Sequence, residues 1–557
     1  MTGPESDRST SDISPDQNRV STFLRDRRWW SGLEWAVLVA IAAVAYIRVY
    51  QLGPDINGDF RNYHVYNALQ ALSGGLPHDV EPAVLQGHLN GQAYALIYLL
   101  RAHLYFPWSD WVILTIQLLS LPLLLLLCRK IMAQPASALR FIICSLTVLV
   151  SVFTASWWTT LGTSFLDPLL APLILGALLL LASIRKEQSN LIRYVLVFSA
   201  GACSALAAGL KLTMVPLLIG VAVAAFVILL GRRLWRFVAG LGIFVLGVLV
   251  GIAPTIPWYY DLKQRFGSPL FPLYNSFFRS PLASTVNYHD ERFRFESAHH
   301  ALRVLQDVTF STTAAVSESP YADPKFLVFL LSVVAAGVAV GVRLVFMRNK
   351  KPLITGAERL CFALIAFGVV SIALWAWQLF YVRYFVPGEL LLGVLILAAM
   401  RLTRMPSIAI AGVLAVLTVW TFATLDVTEW EHNTNWRTQQ PMADPLAQRF
   451  GFEFSANQRR QPMIYFVTGP SLSFVSGLVA PGSIFLRVDG GGFYFDNQIR
   501  QELKDNPNMP RQVILWKGDR NGAESMIEPY GYAISPSPGG CIEFHRLFEL
   551  CQTIPVK

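Results

Sequence analysis

Long apolar runs separated by short polar connections dominate the first three quarters of the chain. Runs of about 17–24 residues, long enough to cross the roughly 30 Å hydrocarbon core of a bilayer as helices, lie near 33–50, 110–128, 139–156, 165–183, 192–209, 213–230, 236–256, 325–347, 359–380, 386–400 and 405–424. The pattern predicts about eleven membrane helices. The first run is long enough to span and has no small-residue cleavage pattern after it, so it reads as a membrane helix and not a signal peptide. The segment 92–106 is apolar but short and interrupted by Arg101 and His103, which predicts a helix lying at the interface. Beyond residue 424 the period changes. Met463–Val467, Ser483–Val488 and Gln512–Trp516 read as strands between polar helical stretches near 495–505 and 520–528, predicting an α/β domain over 425–557. Residues 1–32 are polar and read as a disordered tail.

Composition agrees with the pattern. Of 557 residues, 54% are hydrophobic and only 15% charged, against roughly 25% charged in a soluble domain. Ordinary soluble enzymes and disordered chains are excluded. The expected fold class is a polytopic α-helical membrane protein with a C-terminal α/β extracytoplasmic domain. The net charge of +9 fits a nucleic-acid binder only if the basic residues form one surface, and they do not. They recur in every second connection, as Arg129, Lys130 and Arg140, then Arg185, Lys186 and Arg193, then Arg232, Arg233 and Arg236, then Arg343, Arg348, Lys350, Lys351 and Arg359, then Arg401 and Arg404. By the positive-inside rule the N-terminus is cytoplasmic, and the long polar segments 51–109, 257–324 and 425–557 share the outer side. Chemistry is expected there. Four of the six Cys lie in or beside spans, whereas Cys541 and Cys551 fall in the exported domain, where a disulfide is an open expectation.

Charged groups at membrane depth are costly unless paired or wetted, so each is a functional candidate. Just past the first span stands Asp55-Ile-Asn-Gly-Asp59-Phe-Arg-Asn-Tyr63-His64-Val-Tyr66-Asn67. An acidic residue there can activate a hydroxyl or amine nucleophile, with Asp59 as the catalytic candidate; the alternative is a solvated turn. Asp167 opens the fourth span and is either a second functional carboxylate or a helix-start residue satisfying free amides. Lys211 and Arg383 are lone cations in outer connections, where the charge rule disfavours them. Both suit a lipid phosphate, and snorkelling is the alternative for Lys211. Tyr63, His64, Asn67 and Glu81 are candidate substrate contacts. The outer Trp and Tyr residues suit sugar stacking but also any bilayer interface. Gly490–Gly492 has no following Lys-Ser/Thr and is not a phosphate loop.

The order of these motifs resembles the GT-C superfamily of membrane glycosyltransferases. The residues are Gly58-Asp59, then Leu166-Asp167-Pro168, then Gly209-Leu-Lys211-Leu-Thr-Met-Val-Pro216, then Pro257-Trp258-Tyr259 with Gly267-Ser-Pro269, then Arg383-Tyr384-Phe385-Val-Pro387. They are most similar to the branch of the protein O-mannosyltransferases and the lipid A aminoarabinose transferases, over about residues 33–424. The resemblance implies a sugar donor on a polyprenyl phosphate and an inverting displacement. It also implies Asp59 as base or orienting group, Asp167 as the second-loop carboxylate, and Lys211 and Arg383 near the departing phosphate. Many relatives carry adjacent acidic residues in the first loop, whereas Asp59 precedes Phe60-Arg61 here, which leaves a divalent metal ion open. His64, His78, Asp79, Glu81, His88, His289, Asp290 and Glu291 could supply ligands, but no spacing among them is diagnostic. The expected partners are a membrane, a polyprenyl-phosphate sugar and a glycan, lipid or protein acceptor, with no nucleic acid. The expected location is a bacterial inner membrane. A flippase for lipid-linked sugars and a polymerase or ligase for exported polysaccharide are the competing readings.

Overall fold

In a computed structural model, residues 27–74, 78–185, 188–288, 290–346, 356–490, 493–544 and 547–556 are described. Residues 1–26 of the expected tail, Lys186, His289, Arg348, Lys350, Lys351, Gly491 and Gly492 lie outside them. Every predicted apolar run is a helix. In chain order they are α1 (Arg27–Leu52), α2 (Trp108–Met132), α3 (Ala138–Val152), α4 (Leu166–Ala182), α5 (Asn190–Leu210) and α6 (Leu212–Leu229). There follow α7 (Leu234–Phe266), α8 (Lys325–Phe346), α9 (Gly356–Gln378), α10 (Val382–Leu402) and α11 (Ser407–Ala423). Among the described residues eight of these are long and apolar enough to cross a membrane, and α3, α4 and α11 are shorter apolar helices. The first helix takes in residues 27–32, so helix begins before the apolar run does.

Helix α10 is buried on nearly all sides and packs against α2, α3, α4, α8 and α9, which makes it the centre of the bundle. Helices α5 and α7 approach closely because glycine lines their contact. A Cβ at Gly247 would stand 2.1 Å from the Phe198 carbonyl, and one at Gly251 would stand 2.2 Å from that of Ala202. At its 33 residues, α7 is about 50 Å long. Pro254 and Pro257 tighten it into a short turn, after which the polar Ile256–Phe266 segment runs on beside the loops. The segment 92–106 forms the helix Gln92–His103, and its Arg101, expected at an interface, is fully buried.

The C-terminal strands β1 (Ile464–Val467), β2 (Ile484–Arg487), β3 (Arg511–Trp516), β4 (Tyr532–Ile534), β5 (Cys541–Phe544) and β6 (Phe548–Pro555) form one sheet of order β2-β1-β3-β6-β4, with β5 on β6. Strands β2, β1 and β3 are parallel, and β6 is antiparallel to β3. Side chains alternate between two cores. Ile464 and Phe466 pack with Ile499, Ala523 and Ile527 of the domain's own helices, and with Phe271. Tyr465 and Val467 pack with Ile56, Phe60 and Val65 of the first loop and with Leu446 and Phe450. One face of the sheet is therefore completed by the loop that carries Asp59. Val80 of the same loop caps the open edge of β2, its N–H donating to the Phe485 carbonyl at 2.8 Å and its carbonyl accepting from the Arg487 N–H at 2.9 Å. A disulfide joins Cys541 and Cys551 across β5 and β6.

Candidate active site

Asp59 opens a single wide helical turn, Phe60–His64, whose irregular winding continues into the helix Val65–Ser73. The turn is held from below by buried charges far apart in sequence. Arg101 donates to Asp55 Oδ2 and Asp110 Oδ1, both at 2.9 Å, and Arg449 of the C-terminal segment closes on Asp110. Asn57 bonds Asp55 Oδ1 at 2.6 Å and Ser164 Oγ at 3.0 Å. Burial raises the Asp55 pKa, but the charges of Arg101 and His432 and the hydrogen bonds from Asn57 together outweigh it and hold the carboxyl well below its ordinary range. From above, the loop after β1 docks on the turn. The Ser471 N–H donates to Asn62 Oδ1 at 3.1 Å, and the Ser473 hydroxyl donates to the Asn62 carbonyl. The aromatic ring of Phe60 stacks on Phe450, 5.6 Å between centroids.

So fixed, Asp59 faces a cavity of about 320 Å³. Tyr63, Gln86, His88, Asn90 and Tyr94 of the first loop form one wall, and Lys211 and Thr213 at the α5–α6 junction another. Tyr259, residues 270–274, Asn287, Tyr288, Asp290 and Arg292 of the long loop, Glu318, and Gln378, Leu379, Tyr381, Arg383 and Tyr384 at the α9–α10 junction complete it. The four charges singled out in the sequence form two pairs here. Arg383 Nη1 lies 3.1 Å from Asp59 Oδ2. Lys211 Nζ donates to both oxygens of Asp167, at 2.7 and 2.6 Å. Asp167 thus neither caps its helix nor reaches the cavity; it is fully buried behind Lys211.

Aromatic rings frame both cations. The Arg383 guanidinium sits 4.4 Å over Phe165 and within 5.1, 5.6 and 5.5 Å of Tyr381, Tyr384 and Trp430. Lys211 Nζ is 4.5 Å over the other partner it shares, the ring of Tyr384. Arg383 Nε is buried without a hydrogen-bond partner. Asn90 Nδ2 and the Tyr259 hydroxyl both donate to the Gly209 carbonyl, at 3.1 and 2.7 Å, which anchors the turn before Lys211 to two walls. On the far rim Arg292 chelates Asp290 at 2.9 and 2.7 Å.

The remaining candidates divide. Tyr63 lines the cavity. His64 is buried, stacked 4.2 Å from Tyr94, and burial pushes its imidazole well below its ordinary pKa, so it is neutral. Asn67 turns inward, its amide donating to the carbonyls of Gln86 and Leu89 at 2.8 and 3.0 Å, and shapes the loop. Glu81 pairs with His88 at 2.8 Å and faces a neighbouring groove of about 770 Å³ between the first loop, the Ile256–Phe266 segment and the domain helix Asp496–Asp505. Asp79, in the same groove, is pushed up to about 7 by burial, partly offset by the hydrogen bond from the Phe485 amide. Of the described residues considered as metal ligands, Glu81 pairs with His88, His78 bonds Glu502, Asp290 bonds Arg292 and Glu291 bonds Arg294. Among the described residues the one metal-like grouping is Cys541, Glu549 and Cys551, and its two thiols are spent in the disulfide. Sequence reasoning missed Arg101, Asp110 and Arg449. The charge at Arg101 inside an apolar segment was their one visible signal.

These features define a polytopic helical membrane protein whose loop end carries a charged, aromatic-lined cavity under an α/β domain. No family model matches the sequence. No curated protein matches it. Among solved structures the chain is similar to ArnT from Cupriavidus metallidurans bound to undecaprenyl phosphate, at 13% identity and a TM-score of 0.47, over 93% of this chain and 98% of that one. The apo form of the same protein aligns at 13% identity and a TM-score of 0.46 over the same shares. The Archaeoglobus fulgidus oligosaccharyltransferase in complex with zinc and sulfate aligns at 12% identity and a TM-score of 0.41, over 86% of this chain and 67% of that one.

Proposed function

We propose that the protein is a glycosyltransferase that moves a sugar from a polyprenyl-phosphate donor to an acceptor of the cell envelope. The observation that carries this reading is the pair of mostly buried cations, Lys211 and Arg383, on the wall of a cavity that also holds Asp59, with a guanidinium N–H left unpartnered. A buried donor without an acceptor marks a place for an anion, and guanidinium with ammonium suits phosphate. The tyrosine-rich wall provides flat faces for a sugar ring.

In this reading the donor phosphate sits against Lys211 and Arg383. Its charge competes with Asp59 for Arg383, which loosens that ion pair and leaves Asp59 to accept a proton. The acceptor oxygen attacks the anomeric carbon from the face opposite the phosphate, and the carbon–oxygen bond to phosphate breaks with its electron pair staying on the phosphate. The acceptor proton passes to Asp59, and the configuration inverts. Fixed positive charge stabilises the leaving group. Asp167 holds Lys211 in position without touching substrate. The chain lies in a bacterial plasma membrane with the N-terminus cytoplasmic and residues 425–557 outside. Acceptor classes from glycolipid to polysaccharide and protein fit the cavity chemistry equally, and no step is routed through a metal.

The test is Asp59→Asn in full-length protein reconstituted with a polyprenyl-phosphate sugar. A loss of about 10²–10⁴ in transfer rate with donor binding retained is expected. Transfer at the wild-type rate would overturn the assignment and favour the flippase reading.

A further inference from the structure

At the end of the bundle opposite the cavity, three arginines share one corner. Arg232 lies in the turn between α6 and α7, Arg236 in the first turn of α7 and Arg359 in the first turn of α9. Helices α7 and α9 both pack on α6, and Arg359 Nη2 stands 3.3 Å from the position a Cβ would take at Gly231. Burial, and then the charges of Arg193, Arg359 and Arg236, lower the Arg232 pKa, in keeping with the crowding of like charge. Neighbouring Glu358 is bonded to Arg343 and Arg404. Among the described residues Arg232, Arg236 and Arg359 form no ion pair, and the buried Nε atoms of Arg232 and Arg236 lack a hydrogen-bond partner.

Crowded cations with no counter-charge are unfavourable unless an anion joins them. The corner's flank indicates where the anion comes from. Leu234, Trp235, Val238 and Val245 of α7 are exposed, at 77%, 57%, 57% and 54%, so an apolar strip runs away from the arginines along the helix. Arg236 also stacks on Trp235, 5.0 Å to the ring centroid, an arrangement suited to the headgroup level of a bilayer. We propose that this corner binds the phosphate of an anionic phospholipid in the leaflet remote from the active site, with the acyl chains along the exposed face of α7. A free phosphate would use the same guanidinium groups but gain nothing from the apolar strip.

The experiment titrates purified full-length protein in detergent with phosphatidylglycerol, phosphatidylcholine or inorganic phosphate and reads retained adducts by native mass spectrometry. Retention of phosphatidylglycerol alone is expected. Since each guanidinium at a headgroup contributes about a factor of five, Arg232→Gln with Arg359→Gln should weaken retention about 25-fold. Lys130→Gln with Arg185→Gln, which removes equal charge from the same end, should leave it unchanged. Equal loss in both double variants would reduce the site to diffuse surface charge, and equal retention of inorganic phosphate would make it a free-anion site; either overturns the proposal. If the double variant fails to fold, as judged by thermal unfolding, Arg236→Gln alone is read instead, with about a fivefold loss expected.

Discussion

At the residue scale, the four charges that break the positive-inside pattern are ordered as two ion pairs, and the two differ in exposure. Asp59 is partly open to the cavity, whereas Asp167 is sealed. Removing a sealed partner leaves the other charge buried and alone, so Asp167→Ala should cost about 3–5 kcal/mol, read as a lower thermal midpoint in detergent. Asp167→Ala combined with Lys211→Met should recover much of that stability, and on the proposed function it should stay inactive, because the proposed phosphate contact is removed. Asp79 yields a pH prediction. Its carboxyl is raised to about 7 in the folded protein from 3.8 unfolded. Between those values the unfolded chain gives up the proton while the folded chain keeps it, so stability is highest at low pH and falls as pH rises towards about 7. Melting curves from about pH 5 to about pH 8 should show that decline, and Asp79→Asn should flatten it.

At the element scale, the turn that carries Asp59 is held between a membrane bundle and a sheet. Asn62 receives Ser471 and supplies the carbonyl for Ser473, while Arg449 reaches Asp110 under the same turn. Arg449→Ala should cost about 3–5 kcal/mol, because it leaves Arg101 alone to balance the two buried carboxylates of Asp55 and Asp110. Asn62→Ala keeps those charges paired, so it should lower kcat more than it lowers the melting midpoint. The bundle has its own tight contact: Gly251→Leu would drive a side chain into the Ala202 backbone, with loss of the folded state in detergent expected. The long apolar helices and strands β1, β2 and β3 were legible from period, whereas β4, β5 and β6 were not. The docking of the β1 loop on the first outer loop was not, since Ser471 and Asn62 are 409 residues apart and neither carries a motif.

At the scale of the whole molecule, the segments 51–109, 257–324 and 425–557 meet one another, as through the Ile56–Glu431, Val80–Phe485 and Tyr494–Leu282 hydrogen bonds. They cover the end of the bundle at which Lys211 and Arg383 emerge. If the charge alternation sets the orientation, a reporter active only outside the cytoplasm and fused at the C-terminus will be active, and its cytoplasm-specific counterpart silent; the reverse pattern would invert the assigned sides.

The sequence by itself determined which segments form long apolar helices, which ends of them carry basic residues and where strands β1, β2 and β3 lie. Each of these depends on the local balance of apolar and polar residues against lipid or water, and twenty consecutive residues suffice to set it. It also exposed Asp59, Lys211, Arg383 and Asp167, because a charge in an apolar context stands out without reference to its neighbours in space. Only the tertiary structure decided their partners: Asp167 with Lys211, Asp59 with Arg383, and Arg101 between Asp55 and Asp110. It likewise turned Asn67 inward and moved Glu81 to a second groove. The physical reason is that an ion pair's energy depends on separation and burial, and both are set by the packing of helices far apart in the chain.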